Sequence, residues 1–250
     1  MVALTSDPEQ VLAALERDVV AVRFWGEGRG ARRVLASAPE AHGVEGMRFN
    51  DGKVSPQGTL VVGRMHAAWR TRQPGRLYAL LPGAGELDEV LSPEEVWLPN
   101  GLDWSADGRT CFFVDSGHET VTAYEADGRG VPARGADGAL RPRLLAATPS
   151  NHAHVPDGMA IDADGNLWVA PGESGSLVCY DGRDGRELRR VALPVRRPTS
   201  CAFGGAGLGE LFVTTRVESG EGASAHHGGL FCVRVEGVRG AAGGHAYPLL

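Results

Sequence analysis

The sequence predicts an all-β fold in which small sheets are set radially around an axis. Three observations carry this. A strand, a turn and a second strand recur over residues 49–63, 99–115 and 156–170, with turn glycines Gly58, Gly108 and Gly165 about fifty residues apart, a spacing in the range of propeller blades. The content of 36 Gly and 15 Pro suits a chain of many turns better than one of long helices. A hydrophobic content of 42% is enough for a core, and the repeat favours one domain over residues 1–250.

Taken in order, residues 11–15 and 19–25 read as a hairpin across Glu16, Arg17 and Asp18. A short helix over 9–16, with Val11, Leu12 and Leu15 on one side, is the weaker reading. Residues 33–36 form a third strand, and 39–46 a polar link into the first motif. Strand grammar ends at Gly63: Met65, His66, Ala67, Ala68 and Trp69 depart from it, and 70–74 is loop. Residues 75–81 and 87–91 pair around Pro82-Gly83-Ala84-Gly85. The second motif continues into a strand over 120–125. The Gly/Arg-rich connection 127–143 is expected at the rim and mobile. After the third motif, 176–181 and 187–194 pair across Gly182-Arg183-Asp184-Gly185. A looser fourth copy, 199–205, leads into 210–215. Residues 218–227 are polar loop, 228–235 a last strand, and 237–250 trails off.

The chemistry centres on Val155-Pro156-Asp157-Gly158-Met159. Proline before Asp157 fixes φ and glycine after it permits unusual backbone angles, so the main chain aims the carboxylate. If the first residue of each innermost strand faces the axis, Asn50, Asn100 and Asp157 converge. Such oxygen donors suit a hard cation, Ca²⁺ or Mg²⁺, with Mn²⁺ and Zn²⁺ also open. The competing reading of Asp157 and Asn100 is turn capping, in which the side chain bonds its own backbone. Trp104 and Trp168 are expected in the core. His152, His154, His226 and His227 lie in polar loops and read as exposed rather than zinc-binding. His66 and His118 follow strands whose loops face the channel mouth, which makes them candidates to line a substrate.

The net charge of -6, with no compensating basic stripe, argues against nucleic acid as a partner. The arginine pairs at 32–33, 189–190 and 196–197 read as solvated faces. Cys111, Cys179, Cys201 and Cys232 lack CxxC spacing and read as buried free thiols, which fits a reducing, cytoplasmic setting. The start of the sequence has no signal-peptide pattern, and no stretch has the apolar length of a membrane helix.

Phe49-Asn50-Asp51-Gly52-Lys53-Val54, Asn100-Gly101-Leu102-Asp103-Trp104-Ser105, Pro156-Asp157-Gly158-Met159, Leu167-Trp168-Val169-Ala170, Pro198-Thr199-Ser200-Cys201 and Gly228-Gly229-Leu230-Phe231 stand in the order of, and resemble, motifs of the senescence marker protein/regucalcin/gluconolactonase family. The resemblance implies a six-bladed β-propeller that holds one divalent cation, foremost Ca²⁺, and hydrolyses small-molecule sugar lactones. It implies Asn100 and Asp157 as metal ligands, Asp157 also as the proton acceptor, and Arg48 and Asn50 as substrate-binding residues. The family's further ligand, a Glu in a Gly-Glu-x-Pro-Val-Trp segment, has no match in this sequence. Glu27, in Trp25-Gly26-Glu27-Gly28, follows the wrong strand and stands too close to Asn50. By position, most of the first blade is missing, and of three readings, a natural product that begins upstream of Met1, an open ring or completion by another chain, the first is the expectation. An acid that helps hold the sugar is replaced by Ala68. Weak metal binding and low or absent lactonase activity are therefore expected, from a monomer or weak dimer. The alternatives are a non-catalytic calcium- or sugar-binding propeller and an esterase or organophosphate hydrolase of the same architecture.

Overall fold

The computed structural model describes residues 1–39, 44–71, 75–147, 155–218, 225–241 and 245–250. Among these, the structure is five sheets, each a meander whose strands neighbour one another in chain order. The first comprises β1 (Val2–Leu4), β2 (Gln10–Leu15), β3 (Asp18–Arg23) and β4 (Arg32–Ser37). The second has β5 (Met47–Val54), β6 (Leu60–His66), β7 (Arg76–Leu80) and β8 (Asp88–Leu91). The third has β9 (Pro99–Trp104), β10 (Thr110–Asp115), β11 (Thr120–Glu125) and β12 (Arg143–Ala147). The fourth has β13 (Pro156–Ile161), β14 (Leu167–Pro171), β15 (Ser176–Tyr180) and β16 (Glu187–Ala192), and the fifth β17 (Pro198–Gly204), β18 (Glu210–Thr215) and β19 (Leu230–Val233). Five sheets stand where the family resemblance implied six. The first is a four-stranded meander and not a partial blade, while the fifth has three strands among the described residues.

The repeated turns are one structure used three times. The amide of Gly58 bonds the carbonyl of Ser55 at 2.9 Å, Gly108 that of Ser105 at 2.8 Å, and Gly165 that of Asp162 at 3.0 Å. All three glycines have positive φ, the region a side chain disfavours. In the third copy the turn also anchors the core. Asp162 is 3% exposed and accepts bonds from the amides of Asp164 and Asn166 and, at 3.0 Å, from the indole N–H of Trp168. Trp168 is 1% exposed and meets Phe203 edge to face, as the sequence led one to expect of a core residue.

The chain divides into two compact units, one of Met1–Pro99, Glu125–Arg141 and Gly243–Leu250, the other of Asn100–Tyr124 and Pro142–Ala242. In the first, Leu12, Val19 and Ala21 of one sheet pack on Phe49, Val62 and Tyr78 of the next. In the second, Phe112 and Val114 pack on Met159 and Ile161, and on the far face of that sheet Trp168 and Leu177 pack on Cys201, Leu211 and Val213.

Four local expectations are corrected. β6 runs on through Met65 and His66: every residue of this strand is buried, so it shows no alternation to read. The connection after β11 is two tight turns, closed by the bridges Ala126 to Pro132 and Arg134 to Leu140, and Arg134 holds both carboxylate oxygens of Glu95 at 2.8 Å. The C-terminal stretch does not simply trail: Tyr247 pairs in parallel with Thr5 and donates its hydroxyl to the carbonyl of Leu81 at 2.9 Å. Cys232 is exposed, because β19 is an edge strand with one open face, whereas Cys111, Cys179 and Cys201 are buried.

Gly158, expected to permit unusual backbone angles after Asp157, serves another purpose, and Gly101 after Asn100 shares it. Neither has positive φ; what each supplies is room. A Cβ on Gly101 would stand 2.7 Å from the amide nitrogen of Met159 and 2.8 Å from the carbonyl oxygen of Asp157. One on Gly158 would stand 2.0 Å from Oγ of Ser200. The first strands of the third, fourth and fifth sheets thus approach to within backbone contact where the sequence carries Asx-Gly.

Two outcomes are expected. Gly158→Ala lowers stability by about 1–3 kcal/mol through overpacking, and adding Ser200→Gly recovers part of that loss in urea unfolding; equal stability of all forms would contradict the packing argument. The Arg134 bond holds the Glu95 carboxyl down to about 2. Because the folded-state value is depressed, this contribution is present above the ordinary value near 4.5 and is lost as pH falls towards about 2. The stability gap between the native chain and Glu95→Gln should therefore narrow on acidification over that window, as melting at stepped pH would show.

Candidate active site

The second unit holds two of the proposed site residues. Asn100, 7% exposed, lies near the start of β9, and Asp157, half-buried, near the start of β13. The pairing of β13 with β14 shifts between Pro156 and Met159, so Asp157 and Gly158 occupy an irregularity of the strand, the type of feature that re-aims a side chain. Both residues sit within strands rather than in turns.

Ser116, just past β10, ties the two segments together. Its hydroxyl bonds the carbonyl of Pro156, which can only accept, so the single hydroxyl proton is committed there. Oγ must then accept from Asn100, and does so from Nδ2 at 2.8 Å. This chain of donors fixes the orientation of the Asn100 amide, with Nδ2 turned to Ser116. A second tie lies deeper, where Asp103 accepts from the amide of Ile161 at 2.9 Å and from that of Trp104 at 3.0 Å. Ser116 and Asp103 were not foreseen as site-supporting residues. The available signal was that Asp115-Ser116 ends the strand that follows Asn100.

The first unit holds the other two. Asn50 and Asp51 occupy a similar shift between Phe49 and Gly52 of β5. Asn50 Nδ2 donates to the carbonyl of Pro99 at 3.0 Å, and Oδ1 accepts from Arg48 Nη1 at 3.0 Å. Arg48 is exposed, and the same nitrogen also bonds the carbonyl of Phe49 at 2.9 Å. The neighbouring Asp51 carboxyl is pushed up by burial against the amide of Gly52 that it accepts.

The histidines separate by their partners. His66 is buried, with Nδ1 accepting from the amide of Ala68 and Nε2 donating to the carbonyl of Glu45, both at 2.9 Å. Its ring therefore secures a loop, which corrects its place among candidate substrate residues. His118 bonds Asp115 through Nδ1 at 2.6 Å. His226 is exposed, and His227 accepts from the amide of Glu218 at 2.6 Å. His152 and His154 lie outside the described residues. Among the described residues no three His, Cys, Asp or Glu side chains gather as a metal cluster. Burial pushes the Cys179 thiol up to about 12, consistent with an inert core thiol. No helix among the described residues is long and apolar enough to cross a membrane, which says nothing of β-barrels.

The SMP-30/Gluconolactonase/LRE-like region matches residues 1–217. Chicken (Gallus gallus) regucalcin is 34% identical over 201 residues, 77% of this chain; the match spans 64% of the relative's length. A luciferin-regenerating enzyme superposes with TM-score 0.81 at 28% identity, over 98% of this chain and 81% of the other. A calcium-binding regucalcin of Agrobacterium tumefaciens gives TM-score 0.81 at 25% identity, over 99% and 78%. A likeness in fold alone extends to the β-propeller domain of Myceliophteria thermophila Swd1, TM-score 0.58 at 15% identity, over 92% and 68%. With five consecutive meanders, this chain is an all-β propeller of five blades among the described residues, and it belongs to the SMP-30/gluconolactonase/LRE-like family.

Proposed function

We propose that this protein hydrolyses sugar lactones with the help of one divalent cation. The observation that carries the reading is the Ser116 bridge, which presents one amide oxygen of Asn100 beside the strand start that bears Asp157. The donor set fits a hard cation in kind, an amide oxygen and a carboxylate oxygen, and is small in number and charge. Asn100 and Asp157 would hold the ion, Ca²⁺ foremost, with Zn²⁺, Mn²⁺ and Mg²⁺ as rivals. Such an ion, when bound, polarises a carbonyl and lowers the pKa of water.

The rest falls to the chain's own side chains. Asp157 accepts the proton of the attacking water, and its place in an irregular strand start keeps the carboxylate aimed without cost at the moment of reaction. Arg48, already oriented by the carbonyl of Phe49 and by Asn50, offers further guanidinium donors to the lactone's oxygens. Asn50, held by Pro99, keeps Arg48 in that direction. The enzyme is proposed as cytoplasmic and as a monomer or weak dimer, the first supported by three free thiols buried in the core.

The direct test is hydrolysis of glucono-δ-lactone with Ca²⁺, Mn²⁺, Zn²⁺ or a chelator. Metal-dependent turnover is expected, and Asp157→Asn should lower kcat/KM by about 10²–10⁴-fold. Turnover indifferent to Asp157→Asn would exclude this mechanism. No turnover together with retained cation binding would favour a non-catalytic calcium- or sugar-binding propeller, and turnover of aryl esters or organophosphates alone a different hydrolase. In calorimetry, Ca²⁺ should bind more weakly than about micromolar, since affinity follows the number and charge of the ligands.

A further inference from the structure

Asp115 and His118 form a pair that the mechanism above does not use. Asp115 is 5% exposed, and its Oδ1 accepts from the amides of Gly117 at 3.0 Å and His118 at 3.3 Å. Its Oδ2 meets Nδ1 of His118 at 2.6 Å. An ionised carboxylate can only accept, so Nδ1 carries the proton and Nε2 is the ring's exchangeable position. The imidazole reaches outward, its side chain 52% exposed, while the carboxylate behind it is locked by backbone. This is the division of labour seen where an acid orients a histidine for proton transfer.

The pair's location matters as much as its geometry. Ser116, the residue after Asp115, is the one that binds both Asn100 and the carbonyl of Pro156. The turn that carries His118 is therefore fastened directly to the strand starts of Asn100 and Asp157. The Asp115 hydrogen bond also raises the imidazole's pKa against the opposing effect of burial, which widens the pH range in which both nitrogens are protonated.

Resting on the lactonase reading, we propose that His118 is the general acid of ring opening, giving its Nε2 proton to the departing alkoxide. In the step, the oxygen of water bonds the carbonyl carbon while its proton passes to Asp157. When the tetrahedral adduct collapses, the bond from that carbon to the ring oxygen breaks and its electron pair stays on the ring oxygen. The His118 imidazolium protonates that oxygen, the product leaves as a hydroxy acid, Asp157 gives its proton up to solvent, and the imidazole is recharged from solvent. Asp115 acts as a positioning residue, through the ring it holds.

The test compares leaving groups in the full chain. A sugar lactone expels a basic alkoxide that needs a proton, and p-nitrophenyl acetate expels a phenolate that does not. His118→Gln should slow glucono-δ-lactone hydrolysis at least about tenfold further than p-nitrophenyl acetate hydrolysis, and Asp115→Asn, which forces the ring out of its tautomer, should show the same bias. Gluconate added to the ¹⁵N-labelled native chain should shift the His118 Nε2 resonance. Equal losses on both substrates, or no shift, would overturn the role of His118 while leaving the lactonase reading intact. A native chain inactive on lactone would overturn both.

Discussion

What the site depends on is how closely neighbouring inner strands approach in the second unit. At Gly101 the backbone of one sheet lies where a Cβ would touch the amide of Met159, and at Gly158 the next junction closes on Ser200. Strands brought this near leave polar groups facing each other along their length, and each needs a partner. Ser116 and Asp103 supply partners, through the bonds to Pro156, Asn100 and Ile161. The orientation of the Asn100 amide is thus a consequence of packing between sheets. A site made this way is rigid because the core is rigid, with Met159 and Ile161 packed on Phe112 and Val114 directly beneath.

Much of the fold was legible in the sequence because its repeats are made of turn chemistry. Gly58, Gly108 and Gly165 mark one turn three times, and each strand beside them carries apolar residues that end in the core. The hairpin of β2 and β3, which had a helix as competitor, is decided by the pairing of Leu15 with Asp18 across two residues. What was not legible depends on distant partners. β6 hides its strand character because both of its faces are covered, and the pairing of Tyr247 with Thr5 joins opposite ends of the chain. No local pattern reports such a contact.

The candidate site divides in the same way. Asn100 and Asp157 stood out because Asx-Gly is conspicuous, yet the reason for the glycine was misread, since its local signature is the same for a left-handed turn and for a close approach. Ser116 and the Asp115–His118 pair carried no such mark; they matter through bonds to residues 16 and 40 positions away, or through a buried carboxylate. His66, which the same placement argument had put beside the substrate, proves to be consumed by two backbone groups. Position after a strand therefore nominates a histidine, and the partners of its two nitrogens decide its role.

Charge limits what this arrangement can do. One carboxylate and one amide would hold a divalent ion less firmly than two carboxylates, so the proposed site relies more on geometry than on electrostatic attraction. Diffraction from crystals grown with millimolar Mn²⁺, recorded at a wavelength where manganese scatters anomalously, tests this most directly. The account predicts an anomalous peak within bonding distance of both Asn100 Oδ1 and the Asp157 carboxylate. A peak bound elsewhere, or none at those two oxygens, would contradict it.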